Sequence, residues 1–329
     1  MAPRALVAPD SFKGTFDAPT VARALANGLR QAGWETDLCP VADGGEGTLA
    51  LLVDALGGEL VEVQAGDPLG RRVACEFGLV DGGATAIVEM AQASGLALVD
   101  LGERDAWRAS TSGTGELILA AAGTGAREIL VAVGGSATTD GGAGAIAAIR
   151  AGGGIGDARL HVLCDADSGF EEAPRIFGPQ KGADALLVAR LEERLAAFAA
   201  TLPRDPRGVR FGGCAGGLSG GLWAAFGAEL RAGAPAVLDA LGVDERMRVA
   251  QLVVAGEGCL DKQSFGGKIV GELVRRAGVA GVAIHAVVGT SRLSEDAAAQ
   301  AALQSVWTAS TLEQIAAAGR ELGRGCAAP

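Results

Sequence analysis

Five times along the chain a short apolar, β-branched run leads into a loop of glycines and small polar residues, and an Ala/Leu-rich helical pattern follows. RALVAP passes through DSFKGTFDAPT to VARALANGLRQAG, and TDLCPV through ADGGEG to TLALLVDALGG. EILVAVG passes through GSATTDGGAG to AIAAIRAGG, QLVVAGEG through CLDKQSFGG to KIVGELVRRAG, and VAIHAVVG through TSRLSED to an Ala-rich segment. Strands that each hand over to a helix cannot pair as tight hairpins. They pair side by side through crossovers, which makes an α/β protein with largely parallel sheet.

One stretch breaks the rhythm. From Gly58 to Val99 apolar and polar residues alternate around the turns DPLGR and DGG, the signature of antiparallel hairpins. The final third returns to simple strand–helix units. A second domain is therefore expected to be inserted into a first one built from both chain ends. The boundaries read from the sequence are 1–62 with 250–329 for the first domain and 63–249 for the inserted one.

At 329 residues two domains are the natural division, and 49% hydrophobic with 20% charged residues is ordinary for a globular chain. The net charge of −11 argues against nucleic acid or an anionic membrane as the main partner. There is no run of about 18 apolar residues, and MAPRALVAPD reads as a first strand rather than a signal peptide. A cytoplasmic location is expected. The six cysteines show neither a CxxC pair nor metal spacing and read as small buried hydrophobes.

In open parallel sheets, ligands gather beyond the carboxyl ends of the strands, where helix N-termini attract anions. The recurrent loops lie there, and they hold part of a scarce residue type of this chain, with one more in the turn FGPQKGA. Of 28 Lys and Arg residues only four are lysines: Lys13, Lys181, Lys262 and Lys268. A chain that fills generic positive positions with arginine keeps a lysine where a compact, titratable ammonium is needed. Acids share these loops: Asp10, Asp43, Glu46, Asp140, Glu257 and Asp261. Lysines, carboxylates and glycine-rich backbone together suit phosphoryl transfer, with carboxylates on Mg²⁺ and lysines on phosphate oxygens. No P-loop, protein-kinase set or dinucleotide fingerprint is present. His161 and His285 lie in apolar strand-like runs and read as core histidines, while Arg71 and Arg72 in DPLGRR read as surface charges. FGGCAGGLSGGL stands evenly between helix packing and a binding loop.

The segments APDSFKGTF, PVADGGEGT, DPLGR, EMAQASGL, TSGTGELI, VGGSATTDGGAG, FGPQKGA, AGGLSGGL and GEGCLDKQSFGGK resemble, in order, the motifs of bacterial type I glycerate kinases. The resemblance runs over essentially the whole chain. It implies a Rossmann-like parallel-sheet domain from both chain ends, an inserted mixed-sheet α/β domain and a cleft between them. The implied reaction is Mg²⁺-dependent transfer of the ATP γ-phosphoryl group to D-glycerate, with 2-phosphoglycerate favoured over 3-phosphoglycerate. Glycerate is then the small-molecule partner, and a homodimer is kept as an expected assembly.

By the same resemblance Lys13, Asp140, Asp165 and Lys181 are the catalytic candidates, with Asp140 or Asp165 as base or metal ligand. Asp10, Ser11, Asp43, Glu46 and Gln180 are expected at the substrate, and Gly134, Gly135, Ser136, Thr138, Gly141 and Gly142 at the nucleotide. Glu257 and Asp261 are the metal candidates. Two departures adjoin these residues. The segment after Asp165 lacks the family's Asn-Pro-Leu and is shorter, and the stretch from GAGAIAAIRAGGG to LHVLCD is short as well, while Thr139 in place of the usual Asn is a milder change. They leave two alternatives: a kinase of another small hydroxy acid or polyol, or a homologue that binds nucleotide or organic acid without turnover.

Overall fold

The computed structural model describes residues 2–12, 14–265, 267–294, 298 and 301–326, with only the backbone at 263. The chain forms two compact units. One comprises the residues up to Asp43 and those from Ala234 onward, and the other runs from Gly44 to Gly233.

The first unit holds a five-stranded sheet in the order β11 (Val306–Thr308), β10 (Ala283–Ser291), β9 (Leu252–Leu260), β1 (Arg4–Pro9), β2 (Glu35–Leu38). Every neighbouring pair is parallel. The strand–loop–helix rhythm is the cause. Strand β1 is buried from Ala5 onward, with the helix Ala18–Gln31 packed on it, and Asp17 caps that helix by accepting from Thr20 N at 2.7 Å. That helix, Ala18–Gln31, lies against the helix Leu312–Cys326 closely enough that a Cβ on Gly28 would sit 1.9 Å from Ala316 O. Gly319 meets Leu25 O in the same way, at 2.6 Å.

The second unit holds a six-stranded sheet in the order β3 (Glu59–Gly66), β4 (Arg72–Val80), β5 (Thr85–Glu89), β6 (Glu128–Ala132), β7 (Arg159–Cys164), β8 (Glu229–Ala232). The β3–β4–β5 pairings are antiparallel and the remaining ones parallel, so the expected mixed-sheet α/β architecture is observed. Helix Thr48–Ala55 packs on β4 and β5 and therefore goes with this unit, although the sequence boundary was set after residue 62.

The DPLGR turn bears out the reading of its arginines as surface charges and adds their partners. Asp67, 1% exposed, accepts from Leu69 N and Arg71 N at 2.8 Å each. Arg71 also donates to Asp67, to Glu103 at 3.0 Å and to Leu98 O at 3.1 Å, tying the turn to the segment after β5. Arg72 reaches Glu116 at 2.5 Å. Both arginines are exposed, as expected of surface charges, and their ion pairs also link elements across that surface. Among the described residues no helix is long and apolar enough to cross a membrane.

The glycine contacts separate packing from propensity. Gly28→Ala is expected to lower the unfolding free energy by at least about 2 kcal/mol, because its methyl meets backbone that cannot yield. Gly278→Ala lies in an exposed helical position with nothing within 4 Å, so it should raise stability by up to about 1 kcal/mol. Urea unfolding of both variants measures this, and equal effects would remove the close helix contact from the account.

Candidate active site

In the first unit, the carboxyl ends of β1, β9 and β10 frame a cavity of about 410 Å³. Asp10 continues β1, its N–H donating to Gly256 O at 2.8 Å, which extends the β1–β9 ladder by one rung. Its carboxylate accepts from Ser11 N at 2.6 Å. Asp43, Glu257, Asp261 and Lys268 also line the cavity. Asp10 and Asp43 are buried, at 8% and 7% exposure.

Glu257 is the most strained of these acids. Its Oε1 is buried without a hydrogen-bond partner. Burial, more than the hydrogen bond from Ser264 and the charge of Lys268 can offset, pushes its carboxyl up to about 7, and repulsion from Asp261 and Asp43 adds to the rise. Ser264 is itself held by the turn that follows β9: its N donates to Asp261 O and its Oγ accepts from Asp261 N, both at 3.1 Å.

In the second unit the loop after β6, GGSATTDGG, carries a different arrangement. Lys181, in the turn Pro179–Lys181, is 1% exposed. Its Nζ donates to Ser136 Oγ at 2.8 Å and to Thr138 O at 2.5 Å. Burial pulls this ammonium down to about 8, against the charges of Asp165 and Asp140. Asp165 directly follows β7, is half-buried, and has an oxygen 3.1 Å from where a Cβ on Gly134 would lie.

Asp140 plays another part in that loop. One oxygen accepts from Gly142 N at 3.0 Å, the other from Thr111 N at 2.9 Å and Gly144 N at 3.1 Å, and Thr111 Oγ1 reaches both. Thr111 Oγ1 in turn accepts from Ala145 N at 3.0 Å. The carboxylate thus fastens the starts of two helices, Ser112–Gly123 and Ala143–Ala151, to one another.

The remaining candidates divide clearly. Gly134 and Gly135 lie back to back with the loop 44–47; a Cβ on them would meet Gly45 Cα at 2.4 Å and the Glu46 carboxylate at 2.3 Å, respectively. Glu46 is exposed. Ser136 faces Lys181, and Thr138 is fully buried with its own hydroxyl unpartnered. Gly141 and Gly142 are enclosed by Phe170, Leu195 and Leu218, so packing explains both. Gln180 is exposed, and its carbonyl accepts from Arg104 at 3.0 Å. Lys13 lies outside the described residues. FGGCAGGLSGGL proves to be a packing segment: Gly216 and Gly221 approach Thr138 O and Gly141 O at Cβ distances of 2.0 and 2.1 Å.

Sequence reasoning missed Glu89, which accepts from Gly47 N and Leu49 N at 3.0 Å each and so caps the helix Thr48–Ala55. The signal was available: a lone acid ending a buried β-branched strand, in EMAQASGL. Burial raises its carboxyl, with Glu46 adding to the rise.

Comparison with known proteins agrees with this layout. The family model for the glycerate kinase family matches residues 5–153 and 150–322. Glycerate 2-kinase of Escherichia coli K12 is 37% identical over 301 residues, covering 80% of this chain and 79% of its own. Glycerate kinase of Bacillus subtilis is 38% identical over 303 residues, covering 80% and 78%. A candidate glycerate kinase 2 from Salmonella typhimurium LT2, known as a crystal structure, superimposes with a TM-score of 0.82 at 32% identity, covering 99% of this chain and 98% of that one. The chain belongs to the glycerate kinase family, a family of phosphotransferases.

Proposed function

We propose that this chain uses ATP and Mg²⁺ to phosphorylate D-glycerate in the cytoplasm, with 2-phosphoglycerate as the favoured product. The narrower type I assignment within the family rests on the motifs. The observation that carries the reading is Lys181. A cation at 1% exposure, held by a hydroxyl and a carbonyl with its ammonium pulled down by burial, is expensive as mere scaffold. In a chain with only three other lysines, such a group is better explained by an anion that it meets during turnover.

The residues divide the work. Lys181 and Lys268 neutralise phosphate oxygens, with Lys13 assigned to the same task from its place in the sequence. Gly134, Gly135 and Ser136 present backbone and hydroxyl groups of the Gly-rich loop to the nucleotide. Asp10 and Ser11, at the end of β1, orient the hydroxy acid, and Asp165 accepts the proton of the attacking hydroxyl, since the oxygens of Asp140 are already engaged. Glu257 and Asp261 fit a divalent cation. No three described acid, histidine or cysteine side chains form a ready cage, but Mg²⁺ takes only one or two carboxylates besides water and phosphate. The orphaned Glu257 oxygen and its repulsion from Asp43 and Asp261 are relieved by such a cation. When bound, Mg²⁺ supplies neutralisation of phosphate charge.

A coupled ADP-release assay with D-glycerate, L-glycerate and a panel of hydroxy acids and polyols tests the function. ADP release with D-glycerate, and a product that enolase consumes directly, is the expected outcome. A better substrate in the panel would reassign the acceptor, and ATP binding without release under any condition would reduce the chain to a binding protein. Lys181→Met, which keeps the shape of the buried side chain, should lower kcat by at least about a hundredfold, the scale of one lost preorganised charge contact. Near-normal turnover would remove Lys181 from the chemistry.

Glu257 gives a pH test. An acid whose folded pKa lies above its unfolded value binds its proton more tightly when folded. Its contribution to stability is therefore present at low pH and is lost as pH rises through the folded value of about 7. Melting temperatures of wild type and Glu257→Gln should diverge between about pH 5 and pH 8, the variant being relatively more stable at the upper end. Added Mg²⁺ should narrow that gap. Parallel curves would show that the Glu257 carboxyl is not shifted.

A further inference from the structure

At the opposite end of β10 from the cavity lies a second cluster of reactive groups. His285 is 9% exposed and stands in register with Val254 of β9. The cavity residues Gly289 and Thr290 are four and five positions further along the same strand, or about 15 Å away. The His285 Nε2 lies 3.6 Å from Cys326 Sγ, and its Nδ1 lies 2.7 Å from Ser305 Oγ. Ser305 Oγ also accepts from Trp307 Nε1 at 2.9 Å, which fixes the hydroxyl in place.

Burial alone lowers the imidazole and raises the thiol, so the resting pair is neutral. In the tautomer with its proton on Nδ1, Nδ1–H donates to Ser305 Oγ and Nε2 accepts from Cys326 S–H. A nucleophile, a base within reach of its proton, and a third group that orients the base are the elements of general-base activation of a thiol. The other cysteines lack this combination. Cys39, Cys75, Cys164 and Cys214 are buried, while Cys259 is partly exposed in the cavity wall. Cys326 is partly exposed, and no other described cysteine has a histidine nitrogen within contact distance.

We propose that Cys326 is a thiol-modification site, with His285 as its proton acceptor and Ser305 as the positioning residue, and that it takes low-molecular-mass disulfides. The thiol proton passes to His285 Nε2 as Sγ attacks one sulfur of the disulfide. A new S–S bond forms while the old one breaks, and the departing thiolate recovers the proton from the imidazolium. The cysteine is oxidised to a mixed disulfide and the reagent is reduced to a thiol.

The probe is Ellman's reagent at substoichiometric ratio on the full chain, with release of the aromatic thiolate followed by absorbance and the site located by peptide mass mapping. The first sulfur modified should be Cys326. His285→Gln should slow Cys326 by at least about tenfold near neutral pH, the lower end of general-base assistance, while Cys259 keeps its rate. The pH profile separates chemistry from packing. In wild type the Cys326 rate should change little wherever the imidazole is neutral, whereas in His285→Gln it should climb about tenfold per pH unit, following the thiolate fraction. Ser305→Ala, a milder change, should slow Cys326 in the same direction and covers the case in which His285→Gln fails to fold. Modification of Cys259 before Cys326, or an unchanged rate and profile in both variants, would overturn the proposal.

Discussion

The carboxylate of Asp140 is the fixed point of the inserted unit. It is 3% exposed and takes three backbone N–H groups and a hydroxyl, drawn from the starts of the helices Ser112–Gly123 and Ala143–Ala151. A buried charge so fully satisfied is tolerable, and removing any one of its donors leaves it costly. Because the groups it holds begin two helices, their unpaired N–H groups and dipoles favour the negative charge in turn. The loop that runs from β6 to this carboxylate is therefore anchored at its far end. Among the described residues, the Lys181 ammonium finds its hydrogen-bond partners on that loop, in Ser136 Oγ and Thr138 O. The geometry of the lysine follows from that of the aspartate.

Two carboxylates of this protein illustrate how satisfaction sorts scaffold from chemistry. Asp140 meets a full set of donors, and Glu257 leaves one buried oxygen without any, among acids that repel it. The first arrangement is stable without a ligand. The second is uncomfortable without one, and the discomfort lies where the ends of β1, β9 and β10 open a cavity. Glu89, which caps a helix through two N–H groups, sits between these extremes. Its burial raises its carboxyl, yet its donors keep it in place.

The architecture was legible because it is written in short-range periodicity. Alternation from Gly58 to Val99 became the β3–β4–β5 meander, and the rhythms that open with β1, β2, β6 and β9 became parallel strands each followed by a helix, while most of the Ala-rich segment after β10 lies outside the described residues. The candidate site was legible only as residue types in loops. Nothing local to DPLGRR reveals that Arg71 reaches Glu103 and Leu98 O, and nothing in TSGTG announces that Thr111 will meet Asp140. His161 read as a core residue, yet it stands between Glu128 and Glu229, at 2.5 and 3.2 Å on strands β6 and β8. His285 did prove buried, but its partners Ser305 and Cys326 lie 20 and 41 positions away. Such pairings are decided by the order of strands in a sheet, which residue patterns specify only coarsely. Helix-packing glycines were ambiguous for the same reason: FGGCAGGLSGGL could be assigned only once Thr138 and Gly141 were seen against it.

The claim on which the account turns is that Asp140 clamps the loop that positions Lys181, rather than taking a proton itself. The direct measurement is the unfolding free energy of Asp140→Asn in urea, read beside its kcat. An amide in this position must aim an NH₂ at a backbone N–H, so the account predicts a loss of at least about 2 kcal/mol of stability. An Asp140→Asn protein with wild-type stability and a kcat lowered by about a hundredfold or more would contradict it, and would make Asp140 the proton acceptor.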